Sequence, residues 1–114
     1  MTHQNFQEYI EACDSCAVEC NHCTTECLME QDVKMLASCI QLNLECAAIC
    51  RSASEVMSLG SDYSIELCRI CADVCNACAE ECDKHAKMGM EHCRQCAEAC
   101  HHCAEACMQM AQTA

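Results

Sequence analysis

The sequence predicts an all-α chain: one antiparallel, up-down-up-down four-helix bundle with a cysteine-lined core, a single domain over residues 1–114. Three observations predict it. First, cysteine recurs with gaps of three, four, three and four residues at 13–27, at 68–82 and at 93–107. That spacing averages 3.5 residues, the period of an inward-facing helical seam. Second, the chain has no proline and only two glycines, Gly60 and Gly89, so little interrupts long helices. Third, the segments between the cysteine runs are short, and short connections make neighbouring helices antiparallel.

The first helix is expected from about Asn5 to Met29. On a wheel of about 100° per residue, Cys16, Cys20, Cys23 and Cys27 form a narrow stripe with Tyr9, and Phe6 and Ile10 edge it. Glu8, Glu11, Asp14 and Glu26 lie opposite, so the helix is amphipathic with a buried face of sulfur. Glu30-Gln31-Asp32 is the first connection, with Asp32 as the expected N-cap of the second helix. That helix runs to about Ser58 with the seam Leu36, Cys39, Asn43, Cys46, Cys50, Ala53 and Met57, so Asn43 takes a cysteine slot. Ile40, Leu42, Leu44, Ile49 and Val56 widen its apolar arc, which implies either deep burial in the monomer or an oligomer contact. Leu59-Gly60-Ser61-Asp62 is the clearest turn: Gly60 suits a left-handed helix end, and Ser61 or Asp62 a cap for the third helix. The third helix spans about Tyr63 to Lys87. Met88-Gly89-Met90 makes the last turn, and the fourth helix runs from about Glu91 to Gln109.

The chain has 18 acidic residues against six Lys and Arg, a net charge of −12. Nucleic acid and anionic membranes are therefore poor partners. No signal peptide is visible at the N-terminus, and no stretch reads as a membrane span of roughly 20 apolar residues. The expected compartment is the cytoplasm, where thiols stay reduced and a cysteine array points to metal rather than to disulfides.

The 18 cysteines are the candidate ligands: Cys13, Cys16, Cys20, Cys23, Cys27, Cys39, Cys46, Cys50, Cys68, Cys71, Cys75, Cys78, Cys82, Cys93, Cys96, Cys100, Cys103 and Cys107. A leucine ladder would bury more apolar area, so a purely structural role leaves the choice of sulfur unexplained. A redox role would need one activated cysteine, and six overlapping CxxC and seven CxxxC units single none out. Thiolate-only surroundings select soft ions. Zinc wants separate closed tetrahedra, and iron–sulfur clusters usually draw their cysteines from wrapping loops. A continuous ladder suits Cu(I), which accepts two or three thiolates that can bridge. If every thiolate bridges two ions, capacity is on the order of 18. Each Cu(I) then replaces about one thiol proton, and the core stays near neutral. Four thiolates on Zn(II) would leave about two negative charges per site.

One end of such a bundle gathers His85, His92 and Met35, each within about 40° of a cysteine stripe, as an expected entrance built from weaker Cu(I) ligands. The other gathers Phe6, Tyr9, Met57, Leu67 and Met110 as an apolar plug, with Met57 and Met110 as core filler. His3, His22, His101 and His102 are expected on the surface. Glu19-x-x-His22 and Glu98-x-x-His101 match the di-iron ExxH string, but neither is centred on its inward face. The Asn43 carbonyl oxygen is either a hydrogen-bonded core exception or a ligand where a sulfur is missing; the ligand is favoured.

The ladders CDSCAVECNHCTTEC, CRICADVCNACAEEC and CRQCAEACHHCAEAC, with the shorter CIQLNLECAAIC, resemble those of the bacterial cytosolic copper storage proteins over nearly the whole chain. The resemblance implies many Cu(I) ions along the core, a homotetramer and loading from a histidine-bearing end. By position it makes all four ladders ligands, His85 and His92 the entrance, and Asn43 an oxygen ligand. The expected function is non-enzymatic Cu(I) storage in the cytoplasm, with possible exchange with copper chaperones or small thiols. The alternatives are a metallothionein-like Zn(II)/Cd(II) buffer and a thiol-redox protein.

Overall fold

The computed structural model describes residues 6–113. Four helices follow one another: α1 (Gln7–Leu28), α2 (Ala37–Ser58), α3 (Ser64–Ala86) and α4 (Glu91–Thr113). α1 packs on α2 and α4, and α3 on α2 and α4, so the four form a square antiparallel bundle. It measures 47 × 19 × 18 Å, an elongated rod with the helices along its length. His3 lies outside the described residues.

The amphipathic pattern explains the packing. Every cysteine of the four seams is fully buried, and Ala17, Ala47, Ala72, Ala79 and Ala97 fill the gaps between them. Small residues beside the seam let the helices approach closely enough for sulfurs to touch across the core. The acidic faces of α1, α3 and α4 point to solvent.

Two connections close by the same device. Gly60 has φ 65° and Gly89 φ 96°, both in the left-handed region. Around Gly60, the Ser61 N–H donates to Val56 O at 3.0 Å and the Gly60 N–H to Met57 O at 3.0 Å; around Gly89, the Met90 N–H donates to His85 O at 3.3 Å. These are helix ends whose last carbonyls are satisfied by a chain reversing through glycine. The expected cap by Ser61 or Asp62 is shifted. Tyr63 occupies the N-cap position of α3 without a side-chain cap, and Ser61 Oγ accepts from the Tyr63 N–H at 3.0 Å ahead of it.

The first connection departs from expectation. A 3-10 turn, Val33–Leu36, precedes α2, and Asp32 at its start makes no side-chain cap hydrogen bond. This turn changes the phase of the seam. Counting back from Cys39 at about 100° per residue to Ala37 and about 120° per residue beyond it, Leu36 falls about 40° from the seam and Met35 about 80° from it. Leu36 is accordingly fully buried and Met35 is 44% exposed. The placement of Met35 near the stripe assumed α-helical phase throughout.

α2 also settles the choice between deep burial and an outward apolar face. Ile40, Leu42 and Ile49 are only partly buried against the core, and Leu44 is 53% exposed. The arc is therefore not consumed inside the monomer. Against the expectation that no segment reads as a membrane span, Val33–Ser58 is long and apolar enough to cross a membrane by length and composition alone. Length and composition alone do not separate a span from a helix of a bundle, and 33% of its apolar 18-residue window is buried inside this one.

Candidate metal centre

The sulfurs form one continuous column. Cross-helix Sγ–Sγ distances include 3.6 Å for Cys13–Cys107, Cys46–Cys75 and Cys50–Cys71, 3.7 Å for Cys16–Cys100 and Cys39–Cys82, and 3.9 Å for Cys23–Cys93. All 18 cysteines are free thiols. A disulfide needs about 2.05 Å, so these are contacts between unbonded sulfurs. At a metal–thiolate bond of about 2.3 Å, sulfurs sharing one ion lie about 3.8 Å apart in a tetrahedron and about 4.0 Å apart in a trigonal plane. The column is thus preformed at metal-sharing distance and needs little movement to fill.

What separates one metal chemistry from another here is overlap. Cys16, Cys46, Cys50 and Cys75 form one group of mutually close sulfurs; Cys16, Cys20, Cys46 and Cys100 form the next; Cys20, Cys78, Cys96 and Cys100 form a third. Each group shares two members with its neighbour. Isolated tetrahedral sites would compete for those shared thiolates, whereas an ion that accepts bridging thiolates can use them all. Cys13, Cys71, Cys103 and Cys107 make a group toward one end of the column, and Cys23, Cys27, Cys39 and Cys93 one toward the other.

The electrostatics favour a low-charge filling. All six Lys and Arg side chains are exposed, so no cation faces the column. Burial, then the neighbouring sulfurs of Cys23 and Cys39, push the Cys27 thiol above its ordinary range. The Cys107 thiol and burial do the same to Cys68. Protonated, neutral thiols are the comfortable state of such an interior, and any ion that binds must displace their protons.

Asn43 is fully buried, and its Oδ1 meets three thiols. Cys78 donates to it at 3.1 Å, Cys96 at 3.4 Å and Cys82 at 3.6 Å, while Nδ2 donates to Cys39 Sγ at 3.9 Å. The amide oxygen therefore stands where a fourth sulfur would stand in that layer. Both expectations for Asn43, hydrogen-bonded core residue and oxygen donor, are compatible with this position.

The two histidines at the mouth differ. His92 Nδ1 lies 3.5 Å from Cys93 Sγ, 3.6 Å from Cys23 Sγ and 3.9 Å from Cys27 Sγ, and its Nε2 faces Glu30 Oε2 at 3.7 Å. The ring thus spans from the last sulfurs to a surface carboxylate, with 15% of its side chain exposed. His85 is buried, and its Nε2 is engaged by Glu81 Oε2 at 3.1 Å. Its Nδ1 has no hydrogen-bond partner among the described residues. Met35 does not join them, for the reason given by the 3-10 turn. Glu30 and Glu81 were not singled out from sequence. Their signals were spacing: Glu81 is four residues before His85, and Glu30 three residues past Cys27.

At the other end Phe6, Met57 and Met110 are buried, with Tyr9 and Leu67 partly so. His22, His101 and His102 are exposed. His22 faces Glu26 at 4.0 Å and His101 faces Asp83 at 3.1 Å, while Glu98 pairs with Arg94. Neither ExxH string pairs its own glutamate with its histidine.

A family model described as copper storage protein matches residues 2–112. Among solved structures, the Cu(I)-bound copper storage protein BsCsp3 is 46% identical with a TM-score of 0.87, covering 93% of this chain and 97% of that one. A cytosolic copper storage protein from Streptomyces lividans, in a structure with five coppers, is 38% identical with a TM-score of 0.91, covering 96% and 94%. The cysteine-rich protein YhjQ of Bacillus subtilis is 48% identical over 63 residues, which span 55% of this chain and 58% of that relative's length.

Proposed function

The chain belongs to the copper storage protein family, and from that premise we propose that it stores many Cu(I) ions along the sulfur column, roughly one per cysteine. The carrying observation is the sharing of two thiols between successive sulfur groups in the middle of the column. Each arriving Cu(I) displaces about one thiol proton and is held by thiolates that bridge to the next ion. Apart from sulfur–hydrogen bonds and the bonds between copper and its ligands, none is made or broken, so the role is sequestration rather than catalysis. In the layer of Cys78, Cys82 and Cys96, the Asn43 oxygen serves as the donor that replaces a sulfur.

Ions enter at the His92 end. Imidazole is a neutral Cu(I) ligand weaker than thiolate, and Nδ1 within 3.9 Å of three thiols can hand an ion inward. His85 is buried at the same end, its own ring held by Glu81 at 3.1 Å. The half-exposed apolar face of α2 is where copies of the chain meet, with a tetramer as the expected assembly. The compartment is the cytoplasm, and the donors at the mouth are copper chaperones or small Cu(I)–thiol complexes.

Anaerobic titration of the reduced chain with Cu(I) against a competing chelator tests this. We expect saturation on the order of 18 ions with about one proton released per ion, followed in a weakly buffered sample. Saturation near one Zn(II) per four cysteines, with weak Cu(I) binding, would identify a zinc or cadmium buffer instead. Disulfides that cycle without metal would identify a redox protein.

A further inference from the structure

Met57 is the residue that the sulfur seam does not account for. It lies in the last turn of α2, fully buried at the end closed by Phe6 and Met110. Its thioether Sδ accepts a hydrogen bond from Cys68 Sγ at 3.7 Å. Core thiols elsewhere meet further thiols, the Asn43 amide or, at the opposite end, His92 Nδ1; Cys68 instead donates to a thioether. Cys68 lies one turn before Cys71 on α3, and Cys71 belongs with Cys13, Cys103 and Cys107 to the sulfur group that ends the column, so Cys68 connects Met57 to that end.

A ladder of bridging thiolates has a difficulty at its last rung. In the interior, each thiolate is shared by two ions, and charge cancels ion by ion. At the end there is no further ion to share. A second unshared thiolate there would leave a negative charge that no cation relieves, because all six Lys and Arg are exposed. A neutral soft donor removes the difficulty: it completes the coordination of Cu(I) and adds no charge.

We propose that Met57 Sδ, together with the sulfurs of Cys68 and Cys107, forms the terminal Cu(I) site at the closed end of the column. This rests on the storage reading above. Filling the site costs the Cys68 thiol its proton, while the thioether gives a lone pair and loses none. No electron changes hands. Met110 is buried at the same end.

The test uses the full reduced chain labelled with 13C at the methionine methyl groups, loaded anaerobically with Cu(I) to saturation and followed by NMR. Cu(I) is diamagnetic, so the signals survive loading. The Met57 methyl is assigned by its loss in Met57→Leu, a change that nearly conserves volume. Should that variant not fold, through-space contacts to the Cys68 β-protons assign the signal. We expect the Met57 methyl to move by several linewidths more than that of the exposed Met108, and Met57→Leu to saturate about one ion below the unsubstituted chain. If the chain fills with Cu(I) while Met57 and Met108 move alike and Met57→Leu binds as many ions, the terminal site is wrong and storage stands. If the unsubstituted chain takes up no Cu(I), the storage reading falls, and this inference falls with it.

Discussion

The two ends of the bundle carry the same kind of sulfur group but finish it differently. At the mouth, Cys23, Cys27 and Cys93 meet an imidazole whose far nitrogen faces the carboxylate of Glu30. At the closed end, Cys68 meets a thioether behind Phe6 and Met110. On the proposed reading both would finish the column with a donor that adds no negative charge to the uncompensated core. They differ in access to water. On that reading, the polar, partly exposed end would let an ion trade ligands one at a time, whereas the apolar end would block a second exit, and stored ions would leave by the way they came.

The comparison breaks first on stability. If the closed end is the structural anchor, Phe6→Ala should destabilise the reduced metal-free chain by about 3–5 kcal/mol, the usual cost of emptying a buried aromatic site. His92→Ala should cost less than about 1 kcal/mol, because its ring is partly exposed and its 3.7 Å contact with Glu30 lies at the surface. Urea denaturation of the two variants under reducing conditions measures both. Equal losses would mean that the mouth is as much a part of the fold as the plug.

Kinetics sharpen the same contrast. His92→Ala should slow Cu(I) uptake from a small-thiol complex by about tenfold, equivalent to about 1.4 kcal/mol on the barrier, while changing the final capacity by at most about one ion. Phe6→Leu should leave the uptake rate unchanged. Stopped-flow absorbance in the thiolate-to-copper region follows both. A faster rate in the plug variant would place the entrance at the wrong end.

The parts of this arrangement that could be read from sequence are those written along one helix. The cysteine period gave α1, α3 and α4 with ends close to those observed: α1 expected from Asn5 to Met29 and found as Gln7–Leu28, α3 expected from Tyr63 to Lys87 and found as Ser64–Ala86. The left-handed Gly60 was legible because its neighbours left few other turns. Met35 was misplaced because nothing in Val33-Lys34-Met35-Leu36 announces a 3-10 turn, and a change from about 100° to about 120° per residue moves a side chain from seam to surface. The sulfur contact of Met57 was missed for another reason. A wheel for α2 locates Met57 on the seam but cannot say which atom of α3 stands opposite it. The sharing of thiols between groups was likewise invisible, since it depends on how far each helix is staggered against its neighbours.

The smallest expected effect lies midway between the ends, at Asn43, and it tests whether the column is continuous through the layer where α2 lacks a sulfur. The amide oxygen accepts from Cys78, Cys96 and Cys82, so in the metal-free chain it satisfies three weak donors at once. Asn43→Leu removes that acceptor at similar volume. It should cost about 0.5–1.5 kcal/mol in the metal-free state, the net worth of a hydrogen bond, partly offset by apolar burial. It should also lower Cu(I) capacity by about one ion, because the layer loses its substitute donor. Asn43→Cys should do the reverse, adding a nineteenth thiol at a buried position and raising capacity by about one. Chelator-competition titration of both variants beside the unsubstituted chain resolves a difference of that size. Should both variants match the parent capacity, the oxygen is only a hydrogen-bond acceptor, and the coppers of the mouth half and the plug half are joined through the sulfurs of α1, α3 and α4 alone.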